Sequence, residues 1–302
     1  MYDDIIKTTL ALQDVGMKTK ILKMVLEKDG MYLKKIPKNE ITDEIIKTAV
    51  NQKPYAIQYV SKEKMTDDIV KIAVSKDART FILVPKEKKT DEIIKIAIKK
   101  NVCLIEFVPE NKITNEIVEI AVNITIDSLI YTPKKNMTKE IIKLAIKKNV
   151  YALKFIPKDL ITDEIIKFAI EQSGVFTLKL IPEDLITEDI IKFAIEKSPK
   201  SLLCIPRHFI SDKIIKIAIG ININVIRFIP NELMTNERMT NEIIKLVVEK
   251  NEFLLHFIPD HLITDEIIEF SAIQTIKRSG FDDLNNDIIK EIVQVRKKRR
   301  LT

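Results

Sequence analysis

One eleven-residue stretch, Leu160-Ile161-Thr162-Asp163-Glu164-Ile165-Ile166-Lys167-Phe168-Ala169-Ile170, returns in near-copies about every 24 residues along a chain of 302. A hydroxyl residue marks the phase at Thr42, Thr66, Thr90, Thr114, Thr138, Thr162, Thr187, Ser211, Thr240 and Thr264. The interval is 24 residues, except 25 once and 29 once. A second marker keeps step at Pro37, Pro85, Pro109, Pro133, Pro157, Pro182, Pro206, Pro230 and Pro259, with Ser61 in one slot. Two markers in one phase constrain the fold strongly. A unit this short cannot bury an apolar face alone, so it must stack on its neighbours.

Each unit reads as two helices. The hydroxyl is an N-cap whose oxygen accepts from an orphan N–H of the first turn. Acids follow at once, as in Asp43-Glu44 and Asp163-Glu164, where the helix dipole favours them. An apolar residue before the cap (Ile41, Met65, Ile113, Met137, Ile161, Ile186) sits at the staple position. Counting from the cap, apolar residues fall at plus 3, 4, 6, 7 and 8. That arc of ~200° fits a helix flanked on both sides. Plus 7 is small in nearly every copy (Ala49, Ala73, Ala97, Ala121, Ala145, Ala169, Ala194, Ala218), which predicts close helix crossings. Plus 5 carries a Lys ladder: Lys47, Lys71, Lys95, Lys143, Lys167, Lys192, Lys216 and Lys245. Asp43–Lys47, Asp67–Lys71, Asp91–Lys95 and Asp163–Lys167 are expected as i,i+4 ion pairs.

The second helix is short, as in Val150-Tyr151-Ala152-Leu153-Lys154-Phe155-Ile156, and the following Pro stops it. Aromatics dominate two slots before each Pro (Tyr59, Phe107, Tyr131, Phe155, Phe228, Phe257), and their periodicity predicts core packing. The first unit is degenerate, with Lys18 in the cap slot. Near Gly174 one unit gains a residue. Met234-Thr235-Asn236-Glu237-Arg238 is duplicated by Met239-Thr240-Asn241-Glu242, which predicts an extended loop or added turn.

The repeats Thr138-Lys139-Glu140-Ile141-Ile142-Lys143-Leu144-Ala145-Ile146 and Ala152-Leu153-Lys154-Phe155 resemble an uncharacterised family of short tandem helical repeats found in giant viruses and protists. The resemblance covers about 18–280, and its motifs are structural ones. It implies a helical solenoid and brings no catalytic residues. The Pro after the second helix departs from the family's form, where a small residue stands.

Composition separates the function classes. The net charge is +6, of which Arg296, Lys297, Lys298, Arg299 and Arg300 supply +5, leaving the rest near +1. Such a body attracts phosphate weakly. Cys103 and Cys204 are far apart and lack a CxxC, so both are expected as reduced, buried thiols. The acidic start Met1-Tyr2-Asp3-Asp4 reads against a signal peptide. No uncharged apolar run reaches the ~18–20 residues of a membrane helix. Three His, with His256 and His261 divided by Pro259, make no metal motif, and no P-loop, GxSxG or GxGxxG occurs.

These readings predict an all-α protein, a right-handed α-solenoid of about ten two-helix repeats with atypical terminal caps. Residues 1–17 form an N-terminal cap helix, 18–263 the tandem repeats, and 264–302 partial repeats with the basic tail. The expected function is a non-enzymatic scaffold for an unknown protein partner, without cofactor, metal or membrane. It would sit in the cytoplasm, of the host if the chain is viral. Interaction residues should vary while core slots repeat. Three slots before each Pro they do: Lys34, Gln58, Ile82, Glu106, Ile130, Lys154, Lys179, Leu203, Arg227 and His256. The inter-helix turns (Asn51-Gln52, Lys99-Lys100, Glu171-Gln172) vary as well. Nucleic acid is the alternative partner, through the Lys ladder and the basic patch Arg296–Arg300, which would also serve nuclear import.

Overall fold

The computed structural model describes residues 2–235, 239–278, 291 and 293–295. Every regular element among them is helical. The chain divides into two compact units, Met1–Pro157 and Lys158–Thr302.

The first unit holds α1 (Tyr2–Leu10), α2 (Val15–Lys28), α3 (Asp43–Gln52), α4 (Asp67–Lys76), α5 (Asp91–Lys100), α6 (Asn115–Ile124) and α7 (Lys139–Lys148). Each of α2 to α7 is followed by a six-residue 3-10 helix: Gly30–Lys35, Pro54–Tyr59, Ala78–Leu83, Val102–Phe107, Ile126–Tyr131 and Val150–Phe155. Successive α-helices pack on one another and successive 3-10 helices do the same, so the unit is a two-layered helical-repeat solenoid. The second unit holds α8 (Asp163–Ser173), α9 (Glu188–Lys197), α10 (Asp212–Ile221), α11 (Asn241–Asn251) and α12 (Asp265–Arg278). Its 3-10 helices are Val175–Leu180, Pro199–Cys204, Ile223–Phe228 and Glu252–Phe257, and they stack in order. α1 is followed directly by α2 without a 3-10 helix, and both the residues after α12 and the lone C-terminal helix expected at 286–290 lie outside the described residues.

The caps behave as the sequence predicts. Thr114 accepts from the Ile117 N–H at 3.3 Å, and Thr162 from Ile165 at 3.4 Å. Thr240 is the exception: it precedes α11 without a side-chain bond. In the degenerate first unit Lys18 does not cap. Asp14 does, accepting from the Met17 N–H at 2.9 Å, so α2 starts earlier than the repeat phase implies.

The second helix is a 3-10 helix because it is built from both ends. At its start, in seven of the ten copies, a polar side chain accepts from the N–H two residues on, as Asn101 does from Cys103 (3.2 Å) and Asn149 from Tyr151 (3.0 Å). At its end the residue before Pro is extended, as at Val108 (ψ 129°). Six residues between such stops suit i→i+3 bonding. The 25-residue repeat is accommodated by one more residue in α8 and by Gly174 as its cap, at φ 74°. Both copies of the duplicated Met, Met234 and Met239, are buried. Residues 236–238 between them lie outside the described residues, and so does the added turn or loop expected there.

The core comes from plus 3, 4, 7 and 8 of each α-helix, as in Ile93, Ile94, Ala97 and Ile98, and from the fifth, fourth and last slots before Pro, as in Leu104, Ile105 and Val108. Plus 6 is a correction to the expected arc. Ile72, Ile96, Ile120 and Leu144 are only half-buried, because that position lies at the flank of the inward face. The plus-7 alanines are fully buried.

Candidate functional site

A 3-10 helix has three residues per turn, so residues i and i+3 lie in one row. The third and sixth slots before Pro form the outward row. All ten third-slot residues, Lys34, Gln58, Ile82, Glu106, Ile130, Lys154, Lys179, Leu203, Arg227 and His256, are exposed. The same geometry overturns two sequence expectations. Phe107, Tyr131 and Phe257 are not core: they are 41%, 40% and 41% exposed, while Tyr59, Phe155 and Phe228 are half-buried. The second slot before Pro flanks the outward row, and of its ten residues only Cys204 is buried. Cys103 is exposed for the same reason, being in the sixth slot, whereas Cys204 is buried and its thiol is pushed up by that burial.

Neighbouring 3-10 helices leave grooves between them, and two of these grooves use the same slots. In the first unit Ile105, Glu106, Val108 and Glu110 form one wall, and Ile130, Tyr131, Thr132 and Lys134 the other. In the second unit Ile226, Arg227, Ile229 and Asn231 face His256, Phe257, Ile258 and Asp260. The variable third slot therefore lines the grooves from both sides. Arg227 stacks over Phe257 at 5.2 Å, and His256 Nδ1 lies 3.2 Å from the Phe253 carbonyl.

Residues 20–66, 42–87 and 138–186 match the family model described as Domain of unknown function (DUF4116). Each match spans about two repeats, and the first two overlap by one repeat. No curated protein and no solved structure matches the chain.

Along the stacked repeats the Lys ladder is largely paired, though not as the i,i+4 spacing predicts. The plus-5 lysine reaches the plus-2 acid of the next repeat: Lys23 with Glu44, Lys47 with Asp68 (3.8 Å), Lys71 with Glu92, Lys95 with Glu116 (2.5 Å) and Lys245 with Glu266 (2.5 Å). A stacked neighbour offers a carboxylate beside the lysine, and this displaces the pairing one turn back on the same helix. Glu92 holds the Lys71 ammonium above its ordinary range, and Lys245 holds Glu266 below its own. Exposed pairs of this kind each contribute about 0–1 kcal/mol. The expected i,i+4 arrangement is seen at Lys192–Glu188 (2.9 Å). Lys167 instead lies 5.7 Å over the Phe193 ring.

Net charge is also unevenly divided. Residues 1–157 carry 29 Lys and Arg against 21 Asp and Glu, or +8. Residues 158–295 carry 16 against 23, or −7. The near-neutral body inferred from the total is an average of two opposite units. The basic patch Arg296–Arg300 lies outside the described residues.

One buried cation breaks the pattern. Lys89 occupies the slot before a cap, where the other repeats carry Ile or Met, and it is 5% exposed. Its Nζ donates to the Phe107 carbonyl at 2.8 Å and sits 4.4 Å over the Phe81 ring. Burial first, and Lys86 second, pull its pKa below the ordinary Lys range. Below the folded-state pKa both folded and unfolded chains are protonated, so the full cost of burying the ammonium stands. As pH rises from the folded to the unfolded pKa, the folded state has already lost its proton and that cost fades. Lys89→Met is expected to raise stability at pH 7 by on the order of 1 kcal/mol. The gain should shrink as the melts are moved toward pH 10; a gain that grows with pH contradicts this account.

Among the described residues no cluster of His, Cys, Asp and Glu could hold a metal ion, and no helix is long and apolar enough to cross a membrane.

Proposed function

We propose that this chain is a non-enzymatic helical-repeat scaffold that binds a protein partner along the outward row of its 3-10 helices. The observation that carries the reading is the pair of grooves at identical slots, lined by the residues that differ from copy to copy. Large apolar side chains stand in that row at Ile82, Ile130 and Leu203, and Ile130 is 60% exposed. Repeated slots of this kind let one backbone present different chemistry at each step. The reading places the protein in the cytoplasm, in the host if its origin is viral. Nucleic-acid binding through the plus-5 ladder is the weaker reading, since five of those interactions with carboxylates are internal to the stack. The tail Arg296–Arg300 remains part of that second reading.

Affinity capture with the full chain and with the triple variant Ile82→Glu, Ile130→Glu, Leu203→Glu tests the proposal, with matched melts as the folding control. A specific protein recovered by the parent and reduced at least about tenfold with the variant supports it; tenfold corresponds to ~1.4 kcal/mol. Equal recovery by both, or no specific protein with either, overturns it.

A further inference from the structure

Two exposed lysine pairs of the first unit stand at junctions between α-helices and 3-10 helices. Lys99 and Lys100 end α5, and Lys147 and Lys148 end α7. All four are exposed, and none has an ion pair among the described residues. Lysines at helix C-termini answer the dipole, but that need does not account for the rest of the junction. Here the 3-10 caps are Asn101 and Asn149, whereas Asp29 and Asp77 hold that slot in earlier repeats. The caps therefore bring no carboxylate beside these lysines. The junction between them carries Asn123, Ile124 and the exposed Asp127. Two residues beyond Asn149, Tyr151 is 54% exposed, and Lys154 lies one 3-10 turn further on, its Nζ 5.1 Å from the ring.

Stacked neighbours keep these junctions on one edge of the unit: α5 packs on α6, α6 on α7, and their 3-10 helices follow in the same order. At about 8–10 Å per helix layer, the two lysine pairs stand roughly 16–20 Å apart. Spaced cations beside an exposed aromatic face are what a single-stranded nucleic acid requires. Cations follow its phosphates, and the ring stacks a base whatever its identity.

We propose that the junction edge built from Lys99, Lys100, Lys147, Lys148, Tyr151 and Lys154 binds single-stranded nucleic acid. The site is separate from the plus-5 ladder, and it meets the outward row at Tyr151 and Lys154, the sixth and third slots before Pro157. It binds through phosphates and stacking, so it discriminates weakly among sequences.

Fluorescence anisotropy with a fluorescein-labelled uridylate 20-mer and the full chain, over a series of NaCl concentrations, tests the proposal. The parent should bind, with log Kobs falling linearly against log salt. Replacing Lys99, Lys100, Lys147 and Lys148 by Gln should weaken binding and reduce the slope by about 3, at ~0.7 per phosphate contact on a single strand. Tyr151→Ala should weaken binding about 5- to 150-fold and leave the slope unchanged. Lys71→Gln, at a paired ladder position, should do neither. No binding by the parent at low salt overturns the proposal, as does parental affinity and slope in the quadruple variant. Binding lost only when Arg296–Arg300 are replaced by Gln assigns the activity to the tail and also overturns it. Binding of polyglutamate as tight as the 20-mer, with Tyr151→Ala silent, overturns it in favour of an acidic protein partner. Circular-dichroism melts of each variant establish that it is folded before it is scored.

Discussion

Phe81→Ala is expected to cost about 3–5 kcal/mol, as large-to-small changes at fully buried aromatics do. Phe81 is the largest of the fully buried side chains. It fills the fourth slot before Pro, where the other repeats place Leu or Ile. The same repeat has Lys89 before the following cap, in place of Ile or Met. These two exceptions face each other, with the ammonium over the ring. Removing the ring leaves a cavity and also takes away the surface on which a buried cation rests. Phe81→Leu should cost less, since it restores the side chain this slot uses elsewhere. In the double variant Phe81→Leu, Lys89→Met the two effects should not add, because the residues are in contact. Urea unfolding followed by circular dichroism measures all three. In a stacked array the loss should appear first as reduced amide protection in α4 and α5, with the rest opening later. A Phe81→Ala midpoint equal to the parent's would show that the ring is not what fills this part of the core.

Gly30→Ala is the second large effect expected. A Cβ at Gly30 would stand 2.2 Å from the Ala49 carbonyl oxygen and 3.1 Å from the Lys53 Cβ. The first obstacle is backbone, so no side-chain rotation relieves it. The Gly30 N–H also donates to Gln52 Oε1 at 2.7 Å, and the Gln52 amide donates to the Lys28 carbonyl at 3.2 Å, which ties the first junction to the second. Separating these layers should cost on the order of 1–3 kcal/mol or more. The same slot holds Pro54, Ala78 and Val102 in later repeats, so the close approach belongs to this junction alone. Loss of amide protection should therefore concentrate in α2 and Gly30–Lys35. Uniform loss across the first unit, or no loss, would contradict the steric account.

The repeat, the caps and most core slots were legible in the sequence because each is set by neighbours a few residues away. Thr162 needs only the N–H of Ile165, and Val108 needs only Pro109 beside it to become extended. The i,i+4 pairs were misread for the converse reason. Asp91 and Lys95 have the right spacing, yet Lys95 pairs with Glu116, one repeat away in sequence but adjacent in the stack. The aromatics before Pro were misread because their period is the same whether they face the core or flank it. Deciding between those needs the 3-10 geometry of the second helix. Nothing in the net charge of +6 revealed two units of opposite sign, since that depends on where the chain divides.

For this chain, local chemistry alone determined a tandem all-α repeat, the start of each α-helix at its hydroxyl, and the apolar slots that would be buried. Tertiary structure decided which lysines are spent on carboxylates and which stand without one, and which aromatics are exposed. It also decided that Ala49 presses against Gly30 and that Lys89 is buried over Phe81. Those outcomes depend on atoms one repeat or more away, and a 24-residue period specifies the slots of neighbouring repeats but not the distances between them.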